Sequence, residues 1–366
     1  MSSDETLYKI AVTRIPSIGP ILTKKLISHI GSPEAVFSEK VRNLQKIPGI
    51  GKMISSKMNR DHALTQAEKE LAFMEKHHVH AHFFTDPDYP SLLKQCYDSP
   101  ALLYSQGHCR MDDQKLIAII GTRKITDYGK KLLRRFIEDI ENINVIIVSG
   151  LAHGVDAEAH ELALEFNLPT IGVLGHGLDT MYPAAHRNLA KKMTAVGALY
   201  TEYPSGIRAD KEHFPMRNRI VAGMCHAVLV VESGISGGSM ITAEYASNYN
   251  RDVFTFPGAV GRKYSSGCNH LIKTHKAALI ESAADLLHAM DWSSTGKAAK
   301  KVSQLQAVHT EDELSILHLL RDNANVHIDE LTHSLGWSLG KISTILLQLE
   351  IQGAVKSLPG KMYRSA

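Results

Sequence analysis

Phe214, Arg217 and Arg219 lie in the run Lys211-Glu-His-Phe-Pro-Met-Arg-Asn-Arg-Ile-Val-Ala-Gly223, which brings an aromatic ring and two guanidinium groups into the loop that opens an expected helix. Guanidinium groups take phosphate oxygens through forked, charge-assisted hydrogen bonds, and a helix N-terminus adds positive potential. An aromatic face accepts a stacked base. The chemistry suggested is a grip on phosphates and bases. The same residues admit a plainer reading, in which Phe214 is core and the arginines form surface ion pairs. Expected strands at Ala198–Glu202 and Ala227–Val231 bracket the run. It therefore sits at a strand-loop-helix junction, where ligands of α/β sheets bind.

Other junctions have the same character. Gly121-Thr-Arg-Lys124 precedes a helix expected from Asp127, and Ser149-Gly-Leu-Ala-His-Gly-Val-Asp156 follows an apolar run. Leu174-Gly-His-Gly-Leu-Asp-Thr-Met-Tyr-Pro183 leads to His186 and Arg187, and Glu232-Ser-Gly-Ile-Ser-Gly-Gly-Ser-Met-Ile-Thr-Ala243 follows Val231. Glycine permits the turn and the close approach, while hydroxyl, amide and guanidinium groups ligate phosphate oxygens. Several such loops on one sheet edge suit a polyanionic strand better than one small ligand.

Other chemistries lack their parts. No Gly-x-Gly-x-x-Gly follows a strand and opens a helix, and there is no P-loop, so no NAD or ATP and no cofactor is expected. Ser149 and Ser239 occur without a Gly-x-Ser-x-Gly elbow, and no catalytic residue is assigned. A strand over Val79–Phe84 would put His78, His80 and His82 on one face beside His77, but no carboxylate or cysteine completes a metal set. Cys96, Cys109, Cys225 and Cys268 are scattered, which fits reduced thiols.

The elements that must position these junctions follow from periodicity. Apolar runs at Leu116–Ile120, Val145–Val148, Thr170–Leu174, Ala198–Glu202, Ala227–Val231, Val253–Phe256 and Ala278–Ile280 alternate with amphipathic or polar helices. Continuous Val/Ile/Leu strands between helices mean a mostly parallel sheet buried on both faces, a Rossmann-like α/β layer expected over 66–290. Ahead of it, over 1–65, a helical segment carries nine lysines and arginines between Arg14 and Arg60 against Glu34 and Glu39. Its turns Ile15-Pro-Ser-Ile-Gly-Pro20 and Ile47-Pro-Gly-Ile-Gly51 resemble helix-hairpin-helix motifs, which either approach DNA phosphates or merely shape inter-helix turns. A polar linker is expected over 291–309. Three helical stretches and a terminal hairpin over 310–366 make a winged helix, whose third helix offers Lys341, Ser338, Ser343 and Thr344.

Composition is that of an ordinary folded chain, 44% apolar and 22% charged with a net charge of +3. No apolar run approaches a membrane span, and a polar N-terminus leads to an expected cytoplasmic location.

The motifs Gly121-Thr-Arg, Ser149-Gly-x-Ala-x-Gly-Val-Asp156, Leu174-Gly-x-Gly-x-Asp-x-x-Tyr-Pro183, Glu202-Tyr-Pro-x-Gly206, Phe214-Pro-x-Arg-Asn-Arg-Ile220, and Gly258 with Gly267-x-Asn269 occur in this order. With Asp86-Pro-Asp-Tyr-Pro90 ahead of them, they resemble the DprA/Smf DNA-processing proteins. The resemblance implies a Rossmann-type domain that binds single-stranded DNA in a basic pocket, forms a homodimer, and loads RecA recombinase onto strands taken up in natural transformation. It implies, by motif, that Gly121, Thr122, Arg123, Ser149, Gly150, Phe214, Arg217, Asn218 and Arg219 line the DNA pocket, with Arg187 added. Thr122 replaces the usual serine and Val155 the usual isoleucine. The flanking helical and winged-helix domains resemble those of longer family members.

Two alternatives stand beside it. A nucleotide-cleaving phosphoribohydrolase would use a Pro-Gly-Gly-x-Gly-Thr-x-x-Glu loop, but in Ser236-Gly-Gly-Ser-Met-Ile-Thr-Ala-Glu244 the Gly-Thr positions hold Met240 and Ile241. A winged-helix transcription regulator would need a more basic third helix.

Overall fold

The structure, a computed structural model, describes residues 3–292, 310–322, 326–351, 354–358 and 361–365. The chain divides into two compact units, 1–293 and 294–366.

The first unit opens with six helices, α1 (Ser3–Thr13), α2 (Pro20–Ile30), α3 (Pro33–Ser38), α4 (Val41–Leu44), α5 (Lys52–Lys57) and α6 (Arg60–His77). Gly19 and Gly51 are the N-caps of α2 and α5, so both hairpin turns open helices. Two strands, β1 (Val79–Phe83) and β2 (Leu102–Gly107), flank the short α7 (Ser91–Lys94). The expected boundary at residue 65 falls inside α6 rather than in a linker. Ile10, Leu26 and Leu44 share one core with Phe83, Leu102 and Tyr104, so the helical segment and the sheet edge bury each other. Glu70 of α6 also accepts hydrogen bonds from the Ser205 amide at 3.0 Å and hydroxyl at 2.7 Å. His78 is not on the expected strand. It caps α6 in the left-handed region at φ 52, and His82 is buried between Asp88 and Ser105.

The alternating layer follows: β3 (Lys115–Ile120), α8 (Asp127–Asp139), β4 (Val145–Ser149), α9 (Val155–Glu165), β5 (Thr170–Leu174), α10 (Arg187–Val196), β6 (Ala198–Thr201), α11 (His213–Met224), β7 (Ala227–Val230), α12 (Gly238–Asn248), β8 (Asp252–Thr255), α13 (Ser266–Lys273), β9 (Ala278–Leu279) and α14 (Ala283–Ala289). Nine strands form one sheet in the order β1-β2-β6-β5-β4-β3-β7-β8-β9. Strands β3 to β9 pair in parallel, and β2 joins β1 and β6 antiparallel. β4 and β5 are buried along their whole length, as runs covered on both faces must be. Helix α8 turns Leu133, Phe136 and Ile137 inward at one-turn spacing, and Thr126 caps it. The core extends to Trp292, which packs with Leu286 and so does not belong to the expected linker; residues 293–309 of that linker lie outside the described residues.

The second unit holds α15 (Glu311–Asp322), β10 (Val326–His327), α16 (Ile328–Leu335), α17 (Leu339–Ile351), β11 (Val355–Leu358) and β12 (Met362–Ser365), with strand order β10-β12-β11 around a core of Ile316, Leu331, Ile342 and Leu349. This is a winged helix. The expected Pro359-Gly360 turn lies outside the described residues. Lys341, the basic group of the third helix, pairs with Asp312 at 2.7 Å and lies 4.0 Å above the Trp337 ring.

Candidate functional site

Strand β3 pairs with β4 on one side and β7 on the other, and the chain reverses its winding there. Helices α8 and α9 pack in one core and α11 and α12 in the opposite one. The loops after β3 and β7 therefore diverge, leaving a crevice at the carboxyl ends of the strands. A cleft of about 810 Å³ opens at this place, lined by the turns after β3, β4 and β7, the first turns of α11, and the loop before α13.

The run expected as a loop is helical from His213. Pro215 fits the first turn, where its missing N–H has no intrahelical partner to lose. That start decides which side chains reach the cleft. Phe214, Arg217, Asn218 and Val221 recur at i, i+3, i+4 and i+7 on one face, and all four line the cleft. Arg219, two residues beyond Arg217, points roughly 200° around the axis. It is 3% exposed, pairs with the Glu202 carboxylate and donates to the Asp98 carbonyl at 2.8 Å. The expectation of Arg219 as a phosphate ligand is corrected on this ground: its guanidinium is a buried strut between β6 and the Asp98 segment.

Arg217 faces the cleft yet is only 4% exposed. Its Nη1 donates to the carbonyls of Gly150 and of Val173 in β5, and its Nε to the Asn218 side chain at 3.2 Å. Burial lowers its pKa to about 10, opposed by the charge of Asp156 and aided by that of Arg123. Burial likewise raises the pKa of the Asp156 carboxyl, against the charge of Arg217 and the amides of Ala152 and Gly150. Arg217 is thus a clamp on the cleft floor that also charges it, with its Nη1 and Nε donors engaged by the Gly150 and Val173 carbonyls and the Asn218 side chain. Gly150 makes the clamp possible, because a Cβ there would lie 2.5 Å from the Arg217 Cζ.

The exposed chemistry stands around Phe214. Its half-buried ring is 5.5 Å from that of Tyr182, which is 50% exposed, and the Arg123 guanidinium lies 5.8 Å from its centroid. Arg123, Lys211 and Lys263 are exposed cations of the cleft, and Asp156 is the carboxylate among its described lining residues. Thr122 accepts from the Lys124 amide at 3.1 Å and donates its own amide to the Glu232 carbonyl at 2.7 Å, holding the first turn against the loop after β7. Asn218 donates to the Gly238 carbonyl at 3.4 Å, spanning α11 and the start of α12.

Of the expected residues, the structure brings together Gly121, Thr122, Arg123, Gly150, Phe214, Arg217 and Asn218. Ser149 is buried, its hydroxyl donating to the Ile119 carbonyl at 2.6 Å, so it ties β4 to β3 instead of lining the cleft. Arg187, at the start of α10, borders a different depression. Sequence reasoning missed Lys211, Tyr182 and Lys263 as site residues. Lys211 and Tyr182 lay inside quoted motifs, and the Arg262-Lys263-Tyr264 cluster carried the basic-aromatic signal for the third.

The carboxylates suited to glycosidic chemistry are elsewhere. Glu244 is exposed beside another depression. Glu232 caps α8 by accepting from the Thr126 amide at 2.8 Å and hydroxyl at 2.6 Å.

Comparison with known proteins agrees with this architecture. Residues 80–291 match the family model described as DNA recombination-mediator protein A, 300–361 the DprA winged helix domain, and 10–55 a SAM-like helix-hairpin-helix tandem. Protein Smf of Synechocystis sp. is 32% identical, covering 100% of both chains. DNA processing protein DprA of Streptococcus pneumoniae is 40% identical over 55% of this chain and 71% of its own. A solved structure of DNA processing protein A from Streptococcus pneumoniae superimposes with a TM-score of 0.65 at 32% identity, covering 77% of this chain and 97% of its own. The Helicobacter pylori protein, whose structure is described for its single-stranded DNA binding mode, gives a TM-score of 0.53 at 27% identity over 58% of this chain and 96% of its own.

Proposed function

This chain belongs to the DNA recombination-mediator protein A family, and from that premise we propose that its cleft holds single-stranded DNA without chemical turnover and that the protein passes the strand to a RecA-type recombinase. The observation that carries the reading is the half-buried Phe214 ring beside exposed Tyr182 and Arg123, with Lys211 and Lys263 on the same cleft. Aromatic faces take unpaired bases of any sequence, and the cations take phosphates. Duplex DNA hides its base faces. The Helicobacter pylori relative, described for single-stranded DNA binding, supports the same reading. The reading includes a homodimer acting in the cytoplasm; none of the described helices is long and apolar enough to cross a membrane.

A titration of labelled oligonucleotides at several salt concentrations tests the central claim. Single strands should bind more tightly than blunt duplex, and log affinity should fall with log salt by roughly 0.7 per phosphate neutralised. Equal affinity for both forms, or a flat salt response, would overturn it. Incubation with nucleoside monophosphates should release no free base. Recombinase delivery is read from the lag before RecA ATP hydrolysis on a strand already coated by single-strand-binding protein, which the chain should shorten. Sedimentation of the free protein reads the dimer.

Removing Thr310–Ala366 should leave single-strand affinity within about twofold of the parent, an expectation drawn from the paired state of Lys341. A complete loss of binding, with the remainder still folded by circular dichroism, would place the site in the winged helix.

A further inference from the structure

Arg187 borders a groove distinct from the cleft, and we propose that this groove carries the onward run of the same DNA strand. The proposal rests on the reading of the cleft as a single-strand site and extends its footprint.

The groove, of about 500 Å³, follows helix α10. Arg187, Ala190, Lys191 and Thr194 line it, and their spacing of i, i+3, i+4 and i+7 makes them one face of that helix. Arg187 and Lys191 stand one turn apart, about 6 Å along the axis. Both are exposed, and among the described residues neither has an ion-pair partner. Helix α10 adds Lys192 and contains no carboxylate. His77 and His78, at the end of α6, form another part of the lining, and Asp179 is the acid on it.

Two stretches of chain lead from the cleft to this groove. Thr180 and Met181 line the groove, and the next residue, Tyr182, lines the cleft with its ring 5.5 Å from Phe214. Ala152 lines the cleft, the adjacent His153 meets His186 edge to face at 4.8 Å, and His186 directly precedes Arg187. Neither Gly150–His153 nor Tyr182–Arg187 contains a carboxylate. A polyanion leaving the cleft by either route meets rings and imidazoles first and then the two cations. A compact ligand would have no use for such a track, whereas a strand gains one more neutralised phosphate at each cation.

The test is a length ladder of oligothymidylates, titrated against the full chain, the Arg187→Ala/Lys191→Ala double variant and Arg123→Ala. The parent should tighten as the strand outgrows the cleft. The double variant should match the parent on the shortest oligonucleotide that binds, fall several-fold behind on long ones, and show a salt slope shallower by about 1.4, or roughly 0.7 for each lost contact. An unchanged length dependence and slope would overturn the groove. So would an equal loss at every length, because the two cations would then act within the cleft. Arg123→Ala reads the cleft separately and should weaken all lengths; parent-like binding by that variant would sink the cleft reading while the double variant still reports on the groove.

Discussion

Arg217→Ala is expected to lower the free energy of unfolding by about 3–5 kcal/mol, the usual cost of removing one member of a buried charged network. The change strips the donor from the Gly150 and Val173 carbonyls and leaves Asp156 buried without the charge that opposes its protonation. Urea unfolding should show a lower midpoint with an unchanged slope. Arg217→Lys should recover only part of the loss, because an ammonium carries charge without the separate Nε donor that holds the Asn218 side chain. The pH dependence has a definite sign. Folding raises the Asp156 pKa through burial, and removing Arg217 takes away the largest influence against that push, leaving the hydrogen bonds from the Gly150 and Ala152 amides. A carboxyl raised by folding favours the folded state below its unfolded pKa and loses that contribution as pH rises. The variant's deficit should therefore be full at neutral pH and shrink on acidification. A parent-like midpoint at neutral pH would show that the guanidinium does not hold β4 and β5 together.

Phe214→Ala should cost about 1–3 kcal/mol of single-strand affinity and leave the salt slope nearly unchanged, since stacking neutralises no phosphate. Arg123→Ala should instead make the slope shallower by roughly 0.7. The Arg123 guanidinium lies over the Phe214 ring at 5.8 Å, so the double variant should lose less than the sum of the two, a coupling that a double-mutant cycle reads directly. Phe214 is only half-buried, and its removal should shift the thermal midpoint far less than a core Phe→Ala, which costs about 3–5 kcal/mol. A large melting loss with parent-like affinity in the surviving folded protein would return the ring to a packing role.

The amino-acid sequence by itself determined the central strands, their order along the chain and the glycine junctions between them. Those signals are local: a run such as Leu116–Ile120 or Val145–Val148 has one stable use, burial on both faces, and the glycines mark where it must turn. The family motifs, read in order, also pointed to seven of the residues that line the cleft. Sequence reasoning did not reach β2, whose Leu102–Gly107 run has an antiparallel place only between β1 and β6, nor the shared core that joins α6 to the sheet. Tertiary structure alone decided the roles of Arg217, Arg219, Ser149 and Arg187. Starting α11 at His213 turns Arg217 toward Gly150 and Arg219 toward Glu202, because positions two apart face opposite sides of a helix. Register in β4 buries Ser149 against Ile119, and the course of α10 carries Arg187 away from Arg123. Residue type and spacing announce a cation near a junction, but whether its charge meets solvent, a carbonyl or a carboxylate depends on which distant elements pack against it.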